Sequence, residues 1–217
     1  MKSKIGIYLL FLLIAPILLI SIGCGSSAST TVVTTTTTVT TTSTSTTLAG
    51  RQYYPNTDGY SWTYRKTSTS STTTDATIYI DRFTFSGTAM AGSIEAQILK
   101  QENISPYPST FENYKVITAD YVKQLSPEAY TLLVFPLCLG ASWTLYGSDE
   151  ATVISFESVT VPAGTFNECF KVRMVHAVDS WADVWYAKDV GMVKAIAFSG
   201  TPTYWYQTET ELTEKNF

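Results

Sequence analysis

Metal and acid–base chemistry have little to work with in this chain. It holds one histidine, His176, and three cysteines, Cys24, Cys138 and Cys169. A metal site needs several converging ligands, and none of the usual spacings occurs. There is no C-x-x-C pair and no G-x-S-x-G turn, so neither a thiol redox centre nor a hydrolase nucleophile is marked. Basic residues are also scarce, with 14 Lys and Arg against 18 Asp and Glu. No basic run exists, which excludes the electrostatic footprint of a nucleic-acid binder. It equally excludes attraction to anionic headgroups as a means of holding a membrane.

Only one long apolar run is present, Ile5 to Ile22, preceded by Lys2 and Lys4 and closed by Ser21-Ile22-Gly23-Cys24. That is the three-part order of an export leader. Small Gly23 directly before Cys24 resembles the lipobox of bacterial lipoproteins, with Ser21 where Leu is usual. The resemblance implies a signal peptide over 1–23, cleavage before Cys24 and lipid on its thiol, making acyl chains such as palmitate the membrane anchor. An 18-residue run also has the length of a spanning helix. Pro16, Gly23 and the abrupt change to Gly and Ser at residue 25 argue for cleavage instead. Multiple acyl chains give durable anchoring at about 0.8 kcal/mol per buried CH₂. Gly25, where inner-membrane lipoproteins often carry Asp, favours the outer membrane in a Gram-negative cell. Loss of Lys2 and Lys4 leaves 12 basic against 18 acidic side chains.

Residues 24–50 continue from the lipid site as Thr, Ser, Val and Ala, with no charge before Arg51 and no large side chain to bury. Such a segment cannot build a core and reads as a flexible linker of roughly 25–30 Å, or longer as an O-glycosylated stalk.

Residues 51–217 read as a single all-β domain. Ile94, Ala96 and Ile98 alternate with Glu95 and Gln97, and Phe170, Val172 and Met174 alternate with Lys171 and Arg173, the period of half-buried strands. Pro162-Ala163-Gly164 between Val159-Thr160-Val161 and Thr165-Phe166 predicts a three-residue hairpin loop. Ser126-Pro127-Glu128 suits the start of one short helical turn.

A repeat organises the domain. Tyr54-Pro55, Gly59 and Ser61-Trp62-Thr63 recur as Phe135-Pro136, Gly140 and Ser142-Trp143-Thr144 with every spacing kept. Asp75-Ala76-Thr77-Ile78 is echoed by Glu150-Ala151-Thr152-Val153, with the length difference expected in a loop within Thr67 to Thr74. Two related meander halves, about 53–133 and 134–217, are therefore expected to form one curved antiparallel sheet, an open barrel or sandwich.

The runs Val159-Thr160-Val161-Pro162-Ala163-Gly164-Thr165-Phe166, Trp185-Tyr186-Ala187 and Val190-Gly191-Met192-Val193-Lys194 resemble those of secreted bacterial lipoproteins of unknown function. The resemblance covers about 134–197, more weakly 53–64, and not Thr67 to Tyr130. Some of those proteins are similar in turn to the open-barrel carriers of outer-membrane lipoproteins, which implies a hollow sheet and no particular functional residue.

Candidate sites are few. Cys138 and Cys169 are a candidate disulfide in an oxidising envelope, or two buried thiols packing as small hydrophobes. His176 falls in the Phe170, Val172 and Met174 alternation and reads as a hydrogen-bonded structural histidine. Glu209 and Glu211 beside Trp205, and Asp149-Glu150 at a turn, lack the flanking-carboxylate arrangement of a glycosidase. Tyr204-Trp205-Tyr206 and Trp181, Trp185 and Tyr186 suit core packing or a ring platform for glycan. The expectation is a non-catalytic envelope lipoprotein without cofactor or metal, held to the membrane by lipid, whose domain binds a partner or supports the surface. Alternatives are a carrier of an apolar ligand, in a cavity lined by residues such as Ile94, Ile98, Val172 and Met174, and a glycan-binding module.

Overall fold

The computed structural model describes residues 51–125 and 129–217. Cys24, the linker and the expected turn at Ser126-Pro127-Glu128 lie outside the described residues. A single 3₁₀ turn, Arg51–Tyr53, precedes twelve strands. These are β1 (Ser61–Ser70), β2 (Thr73–Ala91), β3 (Ile94–Ser105), β4 (Ser109–Ile117), β5 (Tyr121–Gln124) and β6 (Tyr130–Val134), then β7 (Ser142–Thr144), β8 (Glu150–Val161), β9 (Gly164–Ala177), β10 (Ser180–Ala187), β11 (Gly191–Gly200) and β12 (Trp205–Lys215).

All twelve form one antiparallel sheet in the order β6-β5-β4-β3-β2-β1-β12-β11-β10-β9-β8-β7. Each half is a six-strand meander, and the first and last strands join them, Arg65 facing Glu211. The sheet curls until its two edges almost meet, because cumulative strand twist and tilt bring β6 back towards β7. Thr131 N–H donates to Leu145 O at 3.1 Å, and Trp143 Nε1 donates to Thr131 O at 3.3 Å. The barrel is thus nearly closed. Its edge strands are five and three residues long, which leaves little unpaired edge exposed.

The repeat is visible in the turns that open each half. Tyr60 N–H bonds Thr57 O, Gly59 N–H bonds Phe85 O and Phe85 N–H bonds Tyr60 O. At the second site Ala141 N–H bonds Cys138 O, Gly140 N–H bonds Val153 O and Val153 N–H bonds Ala141 O. Gly59 and Gly140 take φ of 83° and 82°, the left-handed conformation for which glycine is kept. The second echo, however, is not structural. Trp62 faces Phe83 and Trp143 faces Ala151, so Phe83-Thr84-Phe85 is the counterpart of Ala151-Thr152-Val153, and Asp75 to Ile78 belongs to the outer part of a longer hairpin. The extra length lies in paired strand rather than in a loop.

The hairpin at Pro162-Ala163 is one residue tighter than expected, since Val161 faces Gly164 directly and Gly164 enters the strand at φ 131°. Its tip folds onto β12, Ala163 N–H donating to Leu212 O at 3.0 Å. Val159, Val161 and Cys169 are buried there in one core cluster with Trp185, Val193 and Leu212. Cys169 is accordingly a free, buried thiol whose Sγ contacts Phe166 O at 3.4 Å, and the pairing with Cys138 is not formed. The register explains this. The Cys138–Ala141 turn is held at Val153, whereas Cys169 faces Glu157, four positions along β8. That is about 13 Å of strand, beyond the reach of a disulfide.

A second cluster holds Leu133, Leu145, Val153, Val172, Val184 and Tyr186. Among the described residues no helix is long and apolar enough to cross a membrane.

Candidate functional site

A cavity of about 190 Å³ opens between the two halves, inside the curl of the sheet. The segment after the 3₁₀ turn supplies Tyr54 and Pro55, and β1 to β3 supply Trp62, Tyr64, Phe85 and Leu99. β6, β9, β10 and β11 close it with Leu132, Met174, Tyr186 and Met192. Pro55 lies against β11 at Gly191, where the backbone conformation rather than space calls for glycine. Gly191 has φ 88°, and a Cβ there would meet Pro55 Cδ at 3.4 Å. Trp62 is fixed by its Nε1 donating to Val190 O at 2.7 Å, and Tyr64 by its hydroxyl donating to Met192 O at 2.8 Å. Burial first, then the neighbouring phenols, push Tyr54, Tyr64 and Tyr186 well above the ordinary tyrosine range. They are neutral hydroxyls on an apolar wall and offer no phenolate for catalysis.

The wall contributed by β3 to β6 is different. Gln97, Lys115, Gln124 and Tyr130 stand in direct register across four successive strands, and so form one row on one face. Gln97 exchanges hydrogen bonds with Asn56, its Oε1 accepting at 2.5 Å and its Nε2 donating to Asn56 O at 3.0 Å. Lys115 Nζ donates to Gln124 Oε1, which also accepts from the Tyr130 hydroxyl at 3.2 Å, and Nζ stands 6.0 Å from the Tyr130 ring centroid. Two residues along β3 from Gln97 is Leu99, and two along β6 from Tyr130 is Leu132. Both line the cavity, and residues two apart share a strand face. Lys115 is 5% exposed and pairs with no carboxylate among the described residues. Burial pulls its ammonium down to about 8.

The expected lining is met only in part. Met174 faces the cavity and Val172 is buried in the core beside it. Ile94 and Ile98 do not line it, because a bulge at Ser86-Gly87 sets Leu99 opposite Phe85, and Ile94 is left 47% exposed at the hairpin tip. That shift depends on Gly87, whose φ is 74°, and no alternation in β3 alone reveals it. No motif marks Lys115 or Tyr64. Tyr186 stands in the Trp185-Tyr186-Ala187 run, and Tyr54 opens the repeat whose second copy has Phe135 in its place.

The remaining candidates lie outside the cavity. His176 Nδ1 and Asp149 Oδ2 are 2.8 Å apart, the histidine exposed and the aspartate partly buried. Glu209 and Glu211 are engaged by Lys194, and Glu211 also by Arg65 at 2.7 Å, so they form an ion-pair ladder rather than a cleft. Trp181 stacks on Phe198 at 5.8 Å with Arg173 over it. Trp185 is buried and donates to Glu157 at 2.6 Å. Tyr204 and Tyr206 are exposed, but among the described residues they make no ring pair with Trp205. No group of three or more metal-ligating side chains occurs among the described residues.

A family model described as DUF3108-like matches residues 148–201, the stretch from β8 to β11 that contains the cavity residues Met174, Tyr186 and Met192. No curated protein matches the chain. Two crystal structures are similar. One, from Bacteroides fragilis, is described as an exported protein with a YmcC-like fold, with 14% identity and a TM-score of 0.49 over 76% of this chain and 98% of that one. The other, from Parabacteroides distasonis, is described as a lipoprotein, with 15% identity and a TM-score of 0.47 over the same shares.

Proposed function

We propose that this chain is an envelope lipoprotein, lipidated on Cys24, whose barrel binds an apolar ligand in its hollow without catalysis. The observation that carries the ligand reading is the cavity itself. Its wall of Trp62, Tyr64, Phe85, Leu99 and Met192 is aromatic and aliphatic, a surface that gains by covering alkyl or ring groups, at about 25 cal/mol per Å² of apolar area removed from water. A linker of Thr and Ser after the lipid site gives such a domain reach from the membrane to its cargo. The export leader and Gly23-Cys24 support the envelope location, with the outer membrane favoured in a Gram-negative cell.

Native mass spectrometry of residues 25–217, made without the leader, tests the cargo reading. A bound species that leaves on mild activation is expected, and a uniformly unliganded chain after incubation with alkyl amphiphiles would overturn it. Palmitate labelling tests the anchor, since label incorporated by a Cys24→Ala protein would defeat it.

A further inference from the structure

An ammonium group costs several kcal/mol to withdraw from water unless a counter-charge goes with it. The other buried charges of this domain obey that rule. Asp183 holds both Lys171 and Arg173, and Asp81 holds Lys66 at 3.3 Å. Among the described residues Lys115 has the amide oxygen of Gln124 and the face of the Tyr130 ring, which are neutral, and no carboxylate. Gln97 and Gln124 flank it from β3 and β5, and no acidic side chain stands in the row. A hydrogen-bonded amide row with one unneutralised cation has the form of an anion site missing its anion. Its neighbours along β3 and β6, Leu99 and Leu132, are already part of the apolar wall.

Resting on the apolar-cargo reading above, we infer that the hollow takes an amphiphile with one alkyl chain and an anionic head. The chain lies along the aromatic wall, and a carboxylate head accepts from Lys115 Nζ. The chemical class is that of a fatty acid. The hydroxyls of Tyr54 and Tyr186, which line the same cavity, are further donors on that side. A cavity of about 190 Å³ suits one chain better than the paired chains of a phospholipid. Cationic amphiphiles are disfavoured by the same Lys115, and neutral ones leave it unneutralised.

The test is tryptophan fluorescence, with Trp62 in the wall, on residues 25–217 titrated with dodecanoate, dodecanol and dodecyltrimethylammonium below their micelle concentrations. Dodecanoate is expected to bind at least tenfold more tightly than dodecanol, and the cation most weakly. Lys115→Met should lower dodecanoate affinity to that of dodecanol, while Lys115→Arg keeps the preference. Equal affinity of wild type for acid and alcohol, or a preference that survives in Lys115→Met, would overturn the role of Lys115 and leave the cargo reading standing. Failure of all three ligands to bind would overturn both. The wild-type acid-to-alcohol ratio decides the matter even where a substituted chain does not fold.

Discussion

Two charges buried in opposite halves of the barrel, Asp183 and Lys115, are treated in opposite ways. In the second half Asp183 receives Nε and Nη2 of Arg173 at 2.5 and 2.6 Å and Nζ of Lys171 at 2.9 Å. Burial alone would raise its carboxyl, but these hydrogen bonds outweigh burial and hold it below the usual aspartate value. In the first half Lys115 has no such partner among the described residues, and burial pulls it down to about 8. The hairpins differ in the same sense. The β8–β9 tip is packed on Leu212, while the β2–β3 tip leaves Met90 62% exposed. The buried carboxylate of the second half is satisfied from within, while the buried lysine of the first half has no carboxylate among the described residues, and the proposed anion site rests on that difference.

That contrast can be broken, beginning with its strongest element. Asp183→Asn leaves Lys171 and Arg173 facing each other without their carboxylate, and should cost about 3–4 kcal/mol in urea unfolding, since removal of one partner of a buried pair is expensive. The wild-type contribution is present above pH 3.8, the ordinary aspartate value. It is lost as pH falls through the lowered folded value, so the variant should show a flatter acid limb. Lys115→Met should act in the opposite direction and stabilise the unliganded domain at pH 7 by about 3 kcal/mol, the equivalent of lowering a lysine from 10.5 to about 8. Between those two values the unfolded chain binds more protons than the folded one. Wild-type stability should therefore rise with pH across that window, and the rise should be absent in Lys115→Met.

Smaller effects sharpen the comparison at the places where the halves meet. Gly191→Ala puts a Cβ on a residue at φ 88°, and should cost about 1–2 kcal/mol in thermal melting. Trp143→Phe removes the Nε1 bond to Thr131 O at the seam. About 1 kcal/mol is expected, with faster amide exchange at Thr131, whose N–H crosses the same seam.

Much of the scaffold was legible beforehand, and the reason is local. Alternation in Phe170 to Met174, a hairpin at Pro162-Ala163 and the repeated Gly59 and Gly140 turns are each settled by neighbours in the chain. They were enough to give one curved antiparallel sheet in two meander halves, but not its twelve strands or the two-residue length of that hairpin. The fold of the β8–β9 tip onto Leu212 was not legible, because Val159 and Val161 pack on a strand fifty residues away in the chain. Nor was the separation of Cys138 from Cys169, which follows from their positions along β8 and not from their spacing. The site was hidden more deeply. Tyr114-Lys115-Val116-Ile117 reads as an ordinary strand with a solvated lysine. Only the register Gln97–Lys115–Gln124–Tyr130, set by bulges on β2 and β6, turns that lysine inward.

Titration of Lys115 by NMR, on its side-chain resonances in the ligand-free domain and again at saturating dodecanoate, tests the contrast between the halves most directly. A midpoint near 8 in the free domain, moving upward when the carboxylate is bound because an opposite charge favours the ammonium, is the result this account predicts. A free-state midpoint at the ordinary 10.5, or one that does not move with dodecanoate bound, would contradict it.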